Sequence, residues 1–529
     1  MSENDPAAPD AATRHLPAQP RAPHAPSRPE PASLHRLRAA VRGTVLVRDH
    51  DDPAALELEA AAWNVAVSHR PAVVVAASCA TDVVAAVRFA RGEGLSVAVQ
   101  GTGHGATSAF DDGVLVTTRR MADVTVDPER HTARVGAGAV WRDVVAAAAP
   151  HGLAPLSGSA SGVGVAGFTL GGGMGLLSRK HGFAADRVRS LDVVTADGRL
   201  RHVAARTEPD LFWALRGGKG SFGVVTALEL ELVELPELVA GALVYDGEHA
   251  ATVLHAWREW CTTLTDDTST SVALLRLPDA PMVPEHLRGV LTVHVRVAHL
   301  GPPAAADRLL APLRACAPVL VDDVVARPYA DADAVHRDPV DPSPSWELGA
   351  GLAALDREAV DALLAVAGPA SRLPLVVVEL RLMGGAMGRE PQHPNAVAGR
   401  DTAFSLMTIG PAVPALREAV PAAARAVHDA LAPWRSPTTV TNWLGHVDDR
   451  EAVCASWSFD QQARLRATKT LYDPWDVFSH GHSVLPSVSP ADLADSGPLG
   501  DADVLGAPRS LDARYWDVHQ ARWVRRRQR

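Results

Sequence analysis

Gln100-Gly101-Thr102-Gly103-His104-Gly105 follows directly on an apolar run, Leu95-Ser96-Val97-Ala98-Val99. A short apolar run bounded by glycines reads as a buried strand ending in a turn. Glycine has no Cβ and tolerates positive φ, so a loop of this composition can lie close against a ligand. Successive backbone N–H groups then form a concave nest that suits a pyrophosphate. A second cluster follows, Val163-Gly164-Val165-Ala166-Gly167-Phe168-Thr169-Leu170-Gly171-Gly172-Gly173-Met174-Gly175. Two such loops let two stretches of backbone approach one ligand. The single imidazole inside the first, His104, is placed to do chemistry on it.

Outward from these loops the chain alternates. Residues 72–77 read as a strand, and Thr81 as the cap of a helix over 82–91 that Gly92 and Gly94 end. Further strands are expected at 95–100, 114–117, 124–126 and 133–135, and a helix at 141–149. Residues 191–196 and 200–204 flank Asp197-Gly198, a pair that suits a type I′ hairpin turn. A strand at 224–232 follows. Short strands mixed with helices predict an α+β fold rather than a doubly wound sheet. From about 236 to 440 the pattern predicts strands at 290–297, 375–382 and 402–409. It predicts helices at 304–315, 357–367 and 413–431, with Pro312 ending or kinking the first and Pro421 interrupting the last. A helix at 460–471 leads into Tyr472-Asp473-Pro474. No internal repeat is seen.

Composition bounds the possibilities. A chain of 529 residues suggests two or three domains, and 47% apolar against 21% charged residues suits globular folding. A net charge of −10 argues against nucleic acid or an anionic membrane as the main partner. Cys79, Cys261, Cys316 and Cys454 are far apart and form no CxxC pair, so neither a zinc site nor a disulfide framework is signalled. No run of eighteen apolar residues and no basic-then-apolar leader pattern occurs, so the expected location is cytoplasmic. Residues 1–35 are rich in Pro, Ala, Arg and His and are expected to be a disordered tail. The basic residues 522–529 are expected to be a solvated, frayed end.

Several further segments occur in a telling order: Trp63-Asn64, Arg70-Pro71, the two glycine loops, Gly182-Phe183-Ala184-Ala185-Asp186 and Asp210-Leu211-Phe212-Trp213-Ala214-Leu215-Arg216-Gly217-Gly218. Phe222-Gly223-Val224-Val225-Thr226, Gly384-Gly385-Ala386 and Tyr472-Asp473-Pro474 complete the series. Over residues 41–486 the chain resembles the berberine-bridge-enzyme-like branch of the FAD-linked oxidases, with the FAD-binding fold of the p-cresol methylhydroxylase type. The resemblance implies a two-part FAD-binding domain at 36–235. It implies a substrate domain at 236–440, a mainly antiparallel sheet covered by helices. Residues 441–500 would return to the FAD domain, and 501–529 would form a C-terminal tail.

The same resemblance implies FAD contacts at Gly101, Thr102, Gly103, His104, Gly105, Val163, Gly164, Gly167, Gly172, Gly173, Val225 and His482. It implies a covalent bond from His104 to the 8α carbon of the flavin. Relatives that attach the flavin twice use a cysteine at the place of Ala160, and no cysteine is near, so attachment through His104 only is expected. Three departures bear on catalysis. Val440-Thr441-Asn442 replaces a Tyr-x-Asn whose tyrosine is the base, Gly481 stands where an asparagine is usual, and Ala98-Val99-Gln100 lacks the basic residue that often precedes the first loop. Lys219 also replaces a small residue, and it either adds charge near phosphate or points to solvent.

The candidate catalytic residues are Glu379, Arg381 and Asn442. Glu379 and Arg381 are two apart on one strand face, beside the flavin by resemblance. His446, His480 and His482 are alternatives as bases. Glu379–Arg381 also reads as a structural ion pair, and the histidines as surface loop residues. The implied activity takes hydride from an alcohol or activated C–H of a small organic molecule, secondary-metabolite or sugar-like, and reduces oxygen to hydrogen peroxide. A dehydrogenase using another acceptor, or a flavin-binding protein with little catalysis, are the other readings.

Overall fold

No residue of the strand Val73–Ala76 reaches the surface, because neighbours lie on both sides of it. Thr44–Val47 pairs with it antiparallel and Val114–Thr117 parallel, and Val97–Gln100 adds a further parallel strand. The computed structural model describes residues 29–487 except 278–282, 284, 286, 287 and 448, together with 514–517 and 522–525. The helix Ala80–Gly92 makes the crossover between the parallel strands and buries Val83, Ala86, Val87 and Ala90 against the sheet. Its cap position is Cys79, not Thr81, which lies in the first turn. Asp82 anchors this end instead, since its carboxylate accepts from the N–H groups of Arg42, Gly43 and Ser78.

A second, wholly antiparallel sheet completes the first domain. Its strands run in the order Val124–Asp127, Thr132–Gly136, Val224–Glu231, Val188–Val194, Leu200–Ala204. The hairpin around Asp197-Gly198 is not the type I′ turn that the sequence suggests. Its last pair is Val194–Leu200, which leaves five residues in the loop. Gly198 has φ of 70° while Asp197 is not left-handed, and the Gly198 N–H donates to the Thr195 oxygen at 2.8 Å. Residues 195–198 therefore form a type I turn closed by a glycine bulge.

The region expected to be the substrate domain forms one antiparallel sheet of eight strands. Its path runs Val319–Asp322, Glu237–Asp246, Leu291–His299, Thr268–Arg276, Val377–Leu382, Phe404–Pro411, Ser345–Leu352, and Val325–Pro328 also pairs with Glu237–Asp246. Helices Ala250–Cys261, Pro303–Cys316, Arg357–Ala367 and Ala419–Ala430 cover one face and bury the largest apolar cluster there. Period-two alternation leaves the other face polar: Arg296, Ser271, Arg381 and Ser405 are register partners across four strands. The helix Pro303–Cys316 runs four residues past Pro312 instead of ending there. Pro421 does not interrupt its helix either. It lies in the first turn of Ala419–Ala430, where a missing N–H costs nothing.

Helix Pro31–Ala40 begins inside the segment expected to be a disordered tail, and buries Leu34 and Leu37. The rest of that expectation, residues 1–28, lies outside the described residues. Of the C-terminal tail, Arg514–Asp517 pairs antiparallel with Arg522–Arg525, and the remainder lies outside them as well. Helix Phe459–Tyr472 brings the chain back to the first domain, where the Val97 N–H donates to the Val477 oxygen at 2.8 Å. Lys469 fixes this return. Its buried Nζ lies 2.5 Å from Asp473 and 3.1 Å from Asp476, and donates to the oxygens of Ser221 and Phe478.

Candidate active site

The two glycine loops meet at Thr102: a Cβ built on Gly164 would lie 3.5 Å from the Thr102 hydroxyl. Gly103 carries a double requirement. Its φ is 79°, and a Cβ there would approach Ala62 Cα to 2.6 Å. That close approach brings Trp63 beside the loop, and its N–H donates to the Thr102 oxygen at 2.9 Å. The His104 imidazole stacks on Trp63, with Nδ1 2.9 Å from Thr102 Oγ1. Burial, reinforced by the Arg142 charge, pushes the His104 pKa down to about 4. The ring is therefore neutral near neutral pH and keeps a lone pair.

The adjoining Asn64 ties this loop to the substrate domain. Its Oδ1 accepts from Ser345 N at 3.1 Å and its Nδ2 donates to the Ser345 oxygen at 3.0 Å. Glu347 follows two residues along the same strand and so on the same face as Ser345. The Ser345 hydroxyl donates to Glu347 Oε1 at 3.1 Å. Burial raises the Glu347 pKa, against the Ser345 hydrogen bond, and Asp338 adds to the rise.

Lys219 approaches from the other side, in the left-handed region at φ 55°. It points inward, not to solvent: burial pushes its pKa down to about 8, with Glu347 acting the other way. Its Nζ donates to His482 Nδ1 at 3.4 Å, while His482 Nε2 lies 2.8 Å from the Gly445 oxygen. Burial and the Lys219 charge push His482 down to about 3. A neutral ring donating to Gly445 from Nε2 and accepting at Nδ1 satisfies both contacts.

The surroundings suit a large flat cofactor. A Cβ on Gly105, Gly167, Gly220 or Gly481 would meet no atom within 4 Å, so these backbone faces look onto open space. Other glycines of the second loop serve the chain itself. Gly173 is packed by Phe168 and Ala184, Gly175 by the Ser157 oxygen, and Gly172 by Val397 and Val440. The Val163 oxygen accepts from Trp141 N, and Val225 lies in a central strand with its side chain in the core. Gly101 has only ordinary contacts, its nearest being the Ala137 oxygen and the Thr118 hydroxyl.

The candidate catalytic residues divide by position. Glu379 is buried between Arg296 at 2.6 Å and Arg381 at 2.9 Å, and accepts from Ser271 Oγ. Burial alone would raise its pKa, but the two guanidiniums hold it well below the usual carboxylate range. A carboxylate so strongly held is a poor proton acceptor near neutral pH. Arg381 also stacks on Trp443, its Cζ 4.4 Å from the ring centroid. Asn442 donates to the Phe168 oxygen at 2.7 Å and so holds the second loop. His446 stacks on Trp346 and meets the Glu347 backbone, whereas His480 lies against Phe110 in the first domain. Sequence reasoning missed Glu347. Its strand contains Gly349 and Gly351 and follows Pro342 and Pro344, a composition that reads as a loop. Gly349 is needed because a Cβ would strike the Trp443 oxygen at 1.7 Å.

Comparison with known proteins agrees with this geometry. Residues 71–204 match the FAD binding domain family model. (R)-6-hydroxynicotine oxidase of Paenarthrobacter nicotinovorans is 28% identical over 480 residues, 85% of this chain and 98% of the relative. The crystal structure of 6-hydroxy-D-nicotine oxidase from Arthrobacter nicotinovorans superposes with a TM-score of 0.73 at 27% identity, over 84% of this chain and 98% of that one. A berberine bridge enzyme variant, a reticuline dehydrogenase, shares the fold with a TM-score of 0.73 at 20% identity, over 86% and 99%. With the family model, the full-length relative and the shared fold in agreement, the chain is an FAD-linked oxidoreductase with an FAD binding domain at residues 71–204, and its fold is similar to that of the berberine-bridge-enzyme-like proteins.

Proposed function

We propose that this enzyme is an oxidase that takes hydride from an activated C–H or alcohol carbon of a small organic molecule, with oxygen as the electron acceptor and hydrogen peroxide as product. One observation carries the reading: the Asn64–Ser345 pair ties the loop that holds the neutral His104 imidazole to the strand that carries Glu347, a carboxyl of raised pKa. The full-length relative named an oxidase of 6-hydroxynicotine supports the reaction class.

Bound FAD supplies the hydride acceptor and passes the electrons on to oxygen. The residues present do the rest. His104, neutral and held by Trp63, offers a lone pair for covalent attachment of the cofactor, and Ala160 leaves no second attachment point. Backbone at residues 101–105 and at Gly167 lines the cofactor space. Glu347 takes the substrate proton at its carboxylate oxygens, since a raised pKa brings a carboxyl nearer the working pH.

The test is spectroscopic. Wild-type protein precipitated with acid should carry its yellow colour into the pellet, and His104→Ala should release it to the supernatant. Anaerobic substrate should bleach the flavin, and air should restore it with stoichiometric peroxide. Restoration only by an artificial dye would make the enzyme a dehydrogenase. Protein that cannot be loaded with FAD would overturn the reading.

A further inference from the structure

A half-open cleft lies between the second glycine loop and the polar face of the second domain's sheet. Three arginines border it: Arg179, Arg296 and Arg381. The carboxylate beside them, Glu379, is already shared by two of these. Arg179 is satisfied by carbonyl oxygens alone, those of Thr268, Met383 and Thr265. With Asp266, whose charge acts on Arg179, three guanidiniums against two carboxylates still leave the cleft with a surplus of positive charge.

Its unused hydrogen-bonding capacity has the same sign. Among the described residues, Arg296 Nε and both ring nitrogens of His336 are buried without a hydrogen-bond partner. The His336 side chain is 4% exposed, and its Nε2 stands 3.7 Å from Glu379, beyond hydrogen-bond reach. A buried donor left unpaired forfeits its hydration without return, so such a group calls for an acceptor. The Arg296 Nε is a donor only, and a neutral imidazole adds one further N–H. What these share as a ligand is an anion rich in acceptor oxygens.

Between an inorganic anion and an organic one, the walls decide. Met174, Leu176, Val297, Val335, Leu382 and Met387 line the rest of the cleft and suit an apolar body. A guanidinium matches the two oxygens of a carboxylate in one plane. Arg381 also connects the cleft to the active site, because it stacks on Trp443, next to the Asn442 that holds the second loop.

We propose that the substrate of this enzyme carries a carboxylate, bound in this cleft by Arg296, Arg381 and His336, with its apolar part along the methionine-lined wall. This rests on the oxidoreductase reading above and narrows its substrate class to small organic acids.

The test uses the purified flavin-loaded enzyme, isothermal titration calorimetry, and three probes: benzoate, its neutral isostere benzamide, and inorganic sulfate. Benzoate is expected to bind at least tenfold more tightly than either of the others. Arg296→Met and His336→Phe should each weaken benzoate at least tenfold and leave benzamide unchanged. Equal affinity for benzoate and benzamide, equal affinity for sulfate, or benzoate binding untouched by both substitutions would overturn the proposal. If Arg296→Met does not fold, His336→Phe, which keeps a ring of similar size, decides alone. A colourless protein that takes up no FAD would instead sink the oxidoreductase reading, so the two failures are told apart by the visible spectrum.

Discussion

The indole of Trp63 lies against the imidazole of His104, ring centroids 4.4 Å apart and planes inclined by 14°. The stack fixes the direction of the imidazole, which a loop at residues 101–105 would not do by itself. Trp63→Leu should therefore slow the proposed covalent flavin attachment by up to about 10²-fold, the scale on which a misplacement of about 1 Å acts. The ratio of acid-precipitable to total flavin reads this. An unchanged ratio would show that Trp63 does not position His104.

Glu347→Gln should lower the rate of flavin reduction by about 10²- to 10⁴-fold, the usual worth of a general base. The pH profile gives a sharper check. Burial raises the Glu347 pKa, so the wild-type rate should climb with pH across that raised value, and the variant should lose the limb. The same shift has a consequence for folding. The folded state favours the protonated carboxyl, so this group's contribution to stability is complete below the unfolded pKa and falls as pH rises through the folded one. At pH 7 the variant should be as stable as the wild type or more so, with lower activity.

Lys219 combines a left-handed backbone with a buried ammonium whose pKa falls to about 8. Lys219→Gly should stabilise the apoprotein at pH 7, with about 1–2 kcal/mol from the backbone alone. The sign with pH follows from the depressed pKa of a cation. The folded protein sheds its proton near 8 and the unfolded chain near 10.5, so wild-type stability should rise across that window. The gap between variant and wild type should narrow accordingly. Urea unfolding at pH 7 and pH 10 measures it, and a constant gap would refute the role of the charge.

Lys469→Met should destabilise the protein by about 3–5 kcal/mol, because it leaves the buried Asp473 without a cation, while Asp476 keeps its pair with Arg450. The loss should be read in denaturant midpoint. It should be accompanied by weaker flavin retention, since Lys469 holds Ser221, two residues before Gly223, to the returning segment at Phe478. Loss of stability with unchanged retention would confine Lys469 to the core.

Parts of both domains were legible. The strand at 114–117 and the helix at 357–367 agree with the observed bounds, because each is a strongly periodic run between clear breakers. Misreadings fell where local chemistry admits two outcomes. Asp-Gly serves a type I′ turn or, as at Gly198, a type I turn with a bulge, and the strand register chooses. Pro421 reads as a breaker unless its place in the first turn is known. The strand Ser345–Leu352 was invisible because its glycines are answers to neighbours, the Trp443 oxygen at Gly349 above all.

The sequence by itself determined the two glycine loops, with His104 inside the first, because these are patterns contained within runs of ten or so residues, and it pointed to the α+β architecture and the resemblance to FAD-linked oxidases through the order in which such segments follow one another. Only the tertiary structure decided what the charged groups do. Glu379 sits between two arginines and is locked as an anion, whereas burial and Asp338 outweigh the Ser345 hydroxyl and the Lys219 charge at Glu347 and push it toward its protonated form. The two carboxyls are chemically identical in the chain. Their difference comes from burial and from neighbours brought together by folding, and a proton's affinity depends on both.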